Sequence, residues 1–253
     1  MIDIHSHLLP GVDDGSPSVE VSVPVLERFA DEGVEVLVCT PHLNASDAHN
    51  APYDHHVEIL ETLRAHAPSR IELKMGWEIM LDLPDVDLRA RHLSLGGSTA
   101  VLVEFPRTGV PQQSGAEIAR LRMSGIIPVL AHPERYWGCT VEQVRRWRNN
   151  GAVIQTDAAV LLARNSMAKL ARQLLEEGLV DCLASDNHGD SRSLRGVVTW
   201  LEEMGAGEQA MLMTQVNPGK LLANEPILPV APIPSQPGFL DRLRQLVFRR
   251  PTE

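Results

Sequence analysis

Short runs of apolar, β-branched residues recur along this chain, separated by longer stretches whose apolar positions fall at helical spacing. The runs predict strands at residues 1–4, 35–40, 71–76, 100–105, 127–131, 152–156, 180–185 and 210–214. The stretches between them predict helices at 18–32, 54–67, 115–124, 141–149, 166–177 and 194–204. Gly33 after Asp31-Glu32 and Gly178 after Glu176-Glu177 stand where a helix is expected to stop. Alternation of this kind predicts a mostly parallel sheet, either open or closed into a (β/α) barrel.

The polar residues decide between those two. His5, Thr40-Pro41-His42, Trp77-Glu78, Glu104, His132 and Asp186-Asn187-His188 each fall at the C-terminal end of a predicted strand. A barrel gathers all such ends on one face, whereas an open doubly wound sheet gathers only those near its switch point. Six strands contributing to one site favour the barrel, with the whole expected to form a single domain.

Length and charge narrow the classes. A chain of 253 residues can bury one core of barrel size. Lys and Arg total 23 against 33 Asp and Glu, for a net charge of −10. That balance argues against nucleic acid as a partner while leaving room for a small basic pocket. Cys39, Cys139 and Cys182 are odd in number and widely spaced, so a disulfide framework is not expected and a reducing cytoplasm is. No basic-then-apolar leader opens the chain and no apolar run approaches the ~18 residues of a spanning helix, so neither signal peptide nor transmembrane segment is expected.

Candidate chemistry begins at His5-Ser6-His7. Paired imidazoles at the mouth of a strand, followed by a Gly/Asp-rich turn, suggest metal ligation, although an isolated pair could equally be a solvated surface feature. Singly, Glu104 reads as a buried hydrogen-bonded carboxylate, Asp186 and His188 as helix caps, and His132-Pro133-Glu134-Arg135 as a loop. Their co-occurrence carries the argument. Burying ionisable groups at the end of nearly every strand is costly unless cations compensate them.

These residues, together with Gly11-Val12-Asp13-Asp14-Gly15, Pro41-His42, Glu78 and Ser185-Asp186-Asn187-His188, resemble the polymerase-and-histidinol-phosphatase (PHP) superfamily. Within it the chain is most similar to bacterial capsular-polysaccharide tyrosine phosphatases of the CpsB/CapC/YwqE type. The opening His5-Ser6-His7 segment, the Val12-Asp13-Asp14-Gly15 turn and Asn217-Pro218-Gly219-Lys220-Leu221-Leu222 carry that finer likeness, which covers residues 1–226.

The resemblance implies a distorted, TIM-like (β/α)7 barrel, the PHP fold, holding three divalent cations. The implied ligands are His5, His7, Asp14, His42, Glu78, Glu104, His132, Asp186 and His188, with Glu78 bridging. Asp14 is chosen over Asp13 for its place beside Gly15. Manganese is the expected ion, with iron or zinc also suited to mixed imidazole and carboxylate ligation. Three such ions against four carboxylates and a hydroxide leave about +1 in a sheltered cavity, which suits a phosphoryl dianion. Arg135 adds a planar donor fork for phosphate oxygens. His42 and Glu104 are expected to serve catalysis as well as ligation.

The implied activity is metal-assisted hydrolysis of phosphotyrosine on the tail of a bacterial tyrosine kinase in capsule or exopolysaccharide control. Two rivals are a PHP phosphoesterase acting on a small metabolite such as histidinol phosphate, and a scaffold that keeps the metals without turnover. The chain departs from the family pattern in two places. Leu43 replaces a second His after Pro41-His42, and the second phosphate-binding Arg is displaced by one, making Arg192 its counterpart and Arg195 the alternative.

Other features compete for attention. Cys139 and Arg145 match the C-x5-R spacing of thiol phosphatases, but the residues between contain no Gly and read as the start of a helix. Trp77, Tyr136 and Trp137 flank proposed site residues and read either as core or rim packing or as platforms for an aromatic ring. After residue 226 a Pro-rich segment leads to apolar residues at helical spacing, Phe239, Leu240, Leu243, Leu246 and Val247, interspersed with Arg242, Arg244, Arg249 and Arg250. Residues 227–253 are therefore read as a tail carrying a short basic amphipathic helix. That helix either docks on its own domain or makes peripheral contact with a partner or anionic membrane.

Overall fold

The structure is a computed structural model that describes residues 1–233. Nine strands occupy seven positions of a ring. Strand β1 (Ile2–Ser6) pairs with β2 (Val36–Cys39), which continues past Pro41 as β3 (His42–Asn44). β4 (Glu72–Met75) pairs with β2 and continues past Trp77 as β5 (Glu78–Met80), paired with β3. From β5 the order runs through β6 (Ala100–Glu104), β7 (Ile127–Ala131), β8 (Val153–Asp157) and β9 (Cys182–Ala184), every pair parallel. The ends meet: Ser6 bridges Asn187, His7 N–H donates to Asn187 O at 2.7 Å, and Asp186 N–H donates to His5 O at 3.0 Å. This is a distorted (β/α)7 barrel.

The helices are α1 (Val19–Asp31), α2 (Tyr53–Arg64), α3 (Ser114–Met123), α4 (Val141–Asn149), α5 (Ala158–Leu162), α6 (Ser166–Glu176), α7 (Arg195–Glu203), α8 (Gly207–Met211) and α9 (Asn217–Leu222). Only short 3₁₀ turns lie between β5 and β6, which is where the ring departs most from regular βα repetition.

Alternate strand residues divide the core in two, as side chains on a strand must. Leu37, Val101, Val103, Leu130, Ile154 and Leu183 pack in one cluster with helical residues such as Phe29, Leu121, Trp147, Leu174 and Leu201. Their neighbours Val38, Ala100, Leu102, Val129, Ala131, Val153 and Ala184 join Ile4 in a second cluster inside the ring, closed by Leu95 and Leu221. Leu221 belongs to the Asn217–Leu222 motif. Asn217, buried, donates to Asp181 O at 3.0 Å and holds the backbone of Leu228 through two further bonds, so this motif floors the barrel. On the inward face, two residues beyond Leu102 and Val153 stand Glu104 and Gln155. The interior turns from apolar to polar at that level.

One predicted strand is wrong. Residues 210–214 lie in α8 and the π-type turn Leu212–Val216 that follows it. A short apolar run does not by itself distinguish strand from helix, and closure of β9 on β1 leaves no edge for an eighth strand. Two short strands, β3 and β5, and helices α5 and α9 were not foreseen. Of the tail, residues 227–233 lie along the barrel with Val230 and Ile233 buried and Ile233 N–H donating to Leu175 O. The proposed amphipathic helix, with Arg242, Arg244, Arg249 and Arg250, lies outside the described residues. Among the described residues no helix is long and apolar enough to cross a membrane.

Candidate metal centre

The C-terminal ends of the strands meet at one rim. His5 and His7 are alternate residues of extended backbone and share a face. The His5 ring is set by Nδ1–H donating to Gln155 Oε1 at 3.0 Å, and the His7 ring by Nδ1–H donating to Asp13 Oδ2 at 2.7 Å. Both therefore turn Nε2 inward, where the two atoms stand only 3.2 Å apart and each lies 3.2 Å from Asp186 Oδ1. Two imidazole lone pairs facing each other and a carboxylate are repulsive unless a cation or proton stands between them.

Glu78 sits at the centre. Its Oε1 accepts from His132 at 2.6 Å, and its Oε2 lies 2.9 Å from His42 Nδ1, 3.4 Å from His7 Nε2 and 3.5 Å from His5 Nε2. That Oε2, like Glu104 Oε2 and His132 Nδ1, is buried and makes no well-formed hydrogen bond. Farther out, Asp14 Oδ1 lies 3.2 Å from His42 Nε2 and 3.6 Å from His188 Nε2, and the His7 and His188 rings stack with centroids 4.1 Å apart. The turn carrying Asp13 and Asp14 is pressed onto β1: a Cβ on Gly15 would fall 2.2 Å from His7 O. Only glycine fits there.

Four overlapping donor groups result, each with ligand atoms within 4.8 Å of one another: His7, Asp14, His42 and His188; His5, Glu78 and His132; His5, His7 and Asp186; and His42, Glu78 and Glu104. Together they contain all nine residues expected from the sequence. Orphaned buried oxygens, converging lone pairs and a mixed imidazole and carboxylate donor set fit divalent transition-metal ions. Asp13 stands behind His7 as its orienting partner, and Asp14 belongs to the outer donor group.

Electrostatics follow from this crowding. Burial opposes ionisation of Asp186, but His5, His7, Arg135 and His132 outweigh it and hold its carboxyl far below the usual range. Burial likewise opposes ionisation of Glu78, and the cationic forms of His5 and His132 reverse the balance. Glu104 goes the other way: burial and the neighbouring Glu78 carboxylate push it up to about 7. Burial opposes protonation of His7, yet bonds from Asp13, Asp186 and Glu78 raise its pKa well above the ordinary value.

Backbone strain is concentrated here too. His132 and Asp186 leave their strands at φ 31° and 47°, in the left-handed region that non-glycine residues rarely enter.

Two arginines cover the rim. Arg135 Nη2 bonds Asp157 Oδ2 and lies 2.5 Å from Asp186 Oδ2, while Arg192 Nη1 reaches the same Asp186 oxygen at 3.2 Å. Arg195 is exposed at the start of α7. Leu43 is buried in the core facing the helices. Sequence reasoning passed over Gln155 and Asp157, although both stand at the end of a predicted strand. Asp157 is buried, caps α5 through Ala159 N–H at 2.7 Å and anchors Arg135.

The decoys resolve on position. Cys139 precedes Thr140, the N-cap of α4, and Arg145 lies within that helix, paired with Glu177 at 2.9 Å. Trp77 is buried, donates to His92 O and stacks on His56; Tyr136 is buried, its hydroxyl donating to Ala131 O; Trp137 is 80% exposed.

Comparison with known proteins agrees with this arrangement. The tyrosine-protein phosphatase YwqE of Bacillus subtilis is 28% identical over 92% of this chain and 96% of its own length. The tyrosine-protein phosphatase CpsB of Streptococcus pneumoniae is 30% identical over 76% of this chain and 85% of its own. A solved chain from crystal structures of those two proteins, described as unique metal-dependent tyrosine phosphatases, superposes with a TM-score of 0.75. It is 27% identical, over 93% of this chain and all of that one. Residues 1–223 match the family of capsular polysaccharide synthesis proteins CpsB/CapC. With that match spanning nearly the whole described fold, the chain belongs to the CpsB/CapC family.

Proposed function

We propose that this protein is a metal-dependent tyrosine-protein phosphatase whose substrate is the phosphotyrosine tail of a bacterial tyrosine kinase in capsule or exopolysaccharide synthesis. The observation that carries the reading is the gathering of nine imidazole and carboxylate residues, with two arginines, at one rim of a barrel of this family. In the reading offered here, His5, His7, Asp14, His42, Glu78, Glu104, His132, Asp186 and His188 hold three divalent ions, manganese being the expected one.

Such ions, when bound, supply Lewis acidity and lower the pKa of water to the neutral range. The chain's own residues do the rest. Arg135 and Arg192 stand at the mouth with guanidinium groups turned toward Asp186, in position to receive equatorial phosphoryl oxygens. Burial weighs against the charged form of Arg135, but Asp186 and Asp157 raise its pKa, so it stays cationic at every working pH. Gln155 and Asp13 fix the tautomers of His5 and His7. The phenol released from phosphotyrosine has a pKa of about 10, so departure requires little acid assistance.

The test is turnover by metal-replete enzyme, with bound metal quantified, on a phosphotyrosine peptide beside histidinol phosphate. Hydrolysis of the peptide, lost on chelation and restored by manganese, is the expected result. A fully loaded enzyme that leaves every aryl phosphate intact would return the scaffold reading; a preference for histidinol phosphate would return the small-metabolite one.

A further inference from the structure

Beside the metal-binding rim lies a groove that the chemistry at the rim does not use. Its volume is about 780 Å³, within the range of sites that enclose a ligand of peptide or drug size. Its walls include Phe105, the residue after Glu104, and Leu81, whose N–H donates to Glu104 O at 2.8 Å; both lie on the helix-facing side of the strands, with the Glu104 side chain on the inner side. From there it runs between the segment after β5 and the first turns of α3. Leu81, Phe105, Pro84, Pro111 and Ala116 make the walls apolar, and Gln112 and Gln113 offer amide groups at the edge.

The charges along it are unequal. Asp82, Asp85 and Glu117 line the groove against a single cation, Arg120. Arg120 is already engaged: it bonds Glu117 at 2.5 and 3.0 Å, donates to Val86 O at 2.9 Å and lies 3.6 Å from Asp85. Asp82 takes its bonds from neutral donors, Ser46 N–H and the Ser46 hydroxyl, and keeps its charge uncompensated among the described residues. The rim that takes the phosphate is cationic once loaded, whereas its neighbouring groove is anionic. A ligand spanning both needs negative charge at one end and positive charge a few residues away.

We propose that this groove binds the polypeptide flanking the phosphotyrosine and selects substrates with Lys or Arg near the modified residue. The inference rests on the phosphatase reading and adds to it a sequence preference. Apolar walls accept the extended backbone and its non-polar side chains, while Asp82 and Asp85 meet the basic group.

The test compares two phosphotyrosine peptides that differ only in carrying Lys or Glu at the flanking positions. p-Nitrophenyl phosphate, which carries no flanking polypeptide, reports the rim alone. At low ionic strength kcat/KM for the Lys peptide is expected to exceed that for the Glu peptide by about tenfold, a gap that narrows as salt screens it. Their non-hydrolysable phosphonate analogues should show the same order in Kd. Asp85→Asn, which keeps a residue tolerant of the positive φ of 63° at that position, should shrink the difference. Ala116→Trp, on the exposed side of α3, should obstruct the groove and weaken both peptides while leaving p-nitrophenyl phosphate turnover unchanged. Equal kcat/KM for the two peptides, or a preference untouched by both substitutions, overturns the proposal while p-nitrophenyl phosphate hydrolysis leaves the phosphatase reading standing. Loss of both activities in the loaded wild-type enzyme would instead defeat the reading beneath it.

Discussion

The donor cluster has two halves built to different standards. Toward β1, β7 and β9, His5, His7, His132 and Asp186 are sealed from solvent around Glu78, and the His5 and His7 rings are each locked by a partner behind them. Toward solvent, Asp14 is 71% exposed, His42 35% and His188 18%; Asp14 meets His42 and His188, and those two lean inward on Glu78 and on the His7 ring. The sealed half resembles a core whose polar groups demand a cation; the open half resembles a surface that accepts one. Preorganisation and affinity should therefore differ across a distance of a few ångströms.

The largest effect should come from the sealed half. Glu78→Ala removes the carboxylate that touches His5, His7, His42 and His132 together, and kcat is expected to fall by about 10³-fold or more, the scale on which lost electrostatic stabilisation is measured. Metal content of the purified variant checks the cause. A variant with full metal and full activity would remove Glu78 from the centre altogether.

The open half should yield more gently. Asp14→Ala is expected to cost about 10- to 100-fold in turnover, because His42 and His188 remain in place. A graded chelator titration sharpens the contrast: one fraction of metal should leave early with little change in Tm, and the remainder late with a clear drop, since ions bound only to the folded state stabilise it. Release in a single step would mean the halves act as one site.

A smaller effect is expected from Asp157→Asn. The carboxamide keeps a cap for α5 but loses the charge that draws Arg135 toward β8. Arg135 still faces Asp186, so the expected change is about a tenfold rise in KM with kcat nearly kept, a loss of substrate capture. A matching fall in kcat at constant KM would mean that Arg135 acts only in the transition state.

The same division explains what could be read from the residue order. His5, His7, His42, Glu78, Glu104, His132, Asp186 and His188 were legible because each stands at the C-terminal end of an apolar run, and only a barrel gathers all such ends. Asp14 was not legible that way: it sits on a turn, and its place beside Gly15 in the family-like motif, not the strand-end pattern, picked it over Asp13. In the structure Gly15 lies on His7, with Asp13 behind that ring and Asp14 beside His42. Gln155 and Asp157 obeyed the strand-end rule yet were overlooked, because an amide and a lone aspartate carry little signal without the partners they orient. The error at 210–214 has a different source. Nothing local distinguishes Ala210-Met211-Leu212-Met213-Thr214 from a buried strand; the closure of the ring by Ser6 and Asn187, far apart in the chain, does.

The smallest expected effect tests whether the rim is the only seat of chemistry. Cys139 lies just before α4, and a helix N-terminus ordinarily lowers a thiol pKa and favours thiolate. Here burial, with the Glu134 carboxyl adding to it, wins instead and pushes the thiol up to about 12. At pH 8 the thiol therefore stays protonated, and the thiol is not the nucleophilic form. The segment between Cys139 and Arg145 is the Thr140-capped first turn of α4, where Gln143 N–H bonds the Thr140 hydroxyl and Val144 N–H the Thr140 carbonyl, and Arg145 is held by Glu177. Cys139→Ser should therefore leave kcat/KM within about twofold of the parent, and iodoacetamide should leave the enzyme active while a chelator silences it. Inactivation by iodoacetamide that Cys139→Ser abolishes would show instead that the thiol, and not the imidazole-lined rim, meets the phosphate.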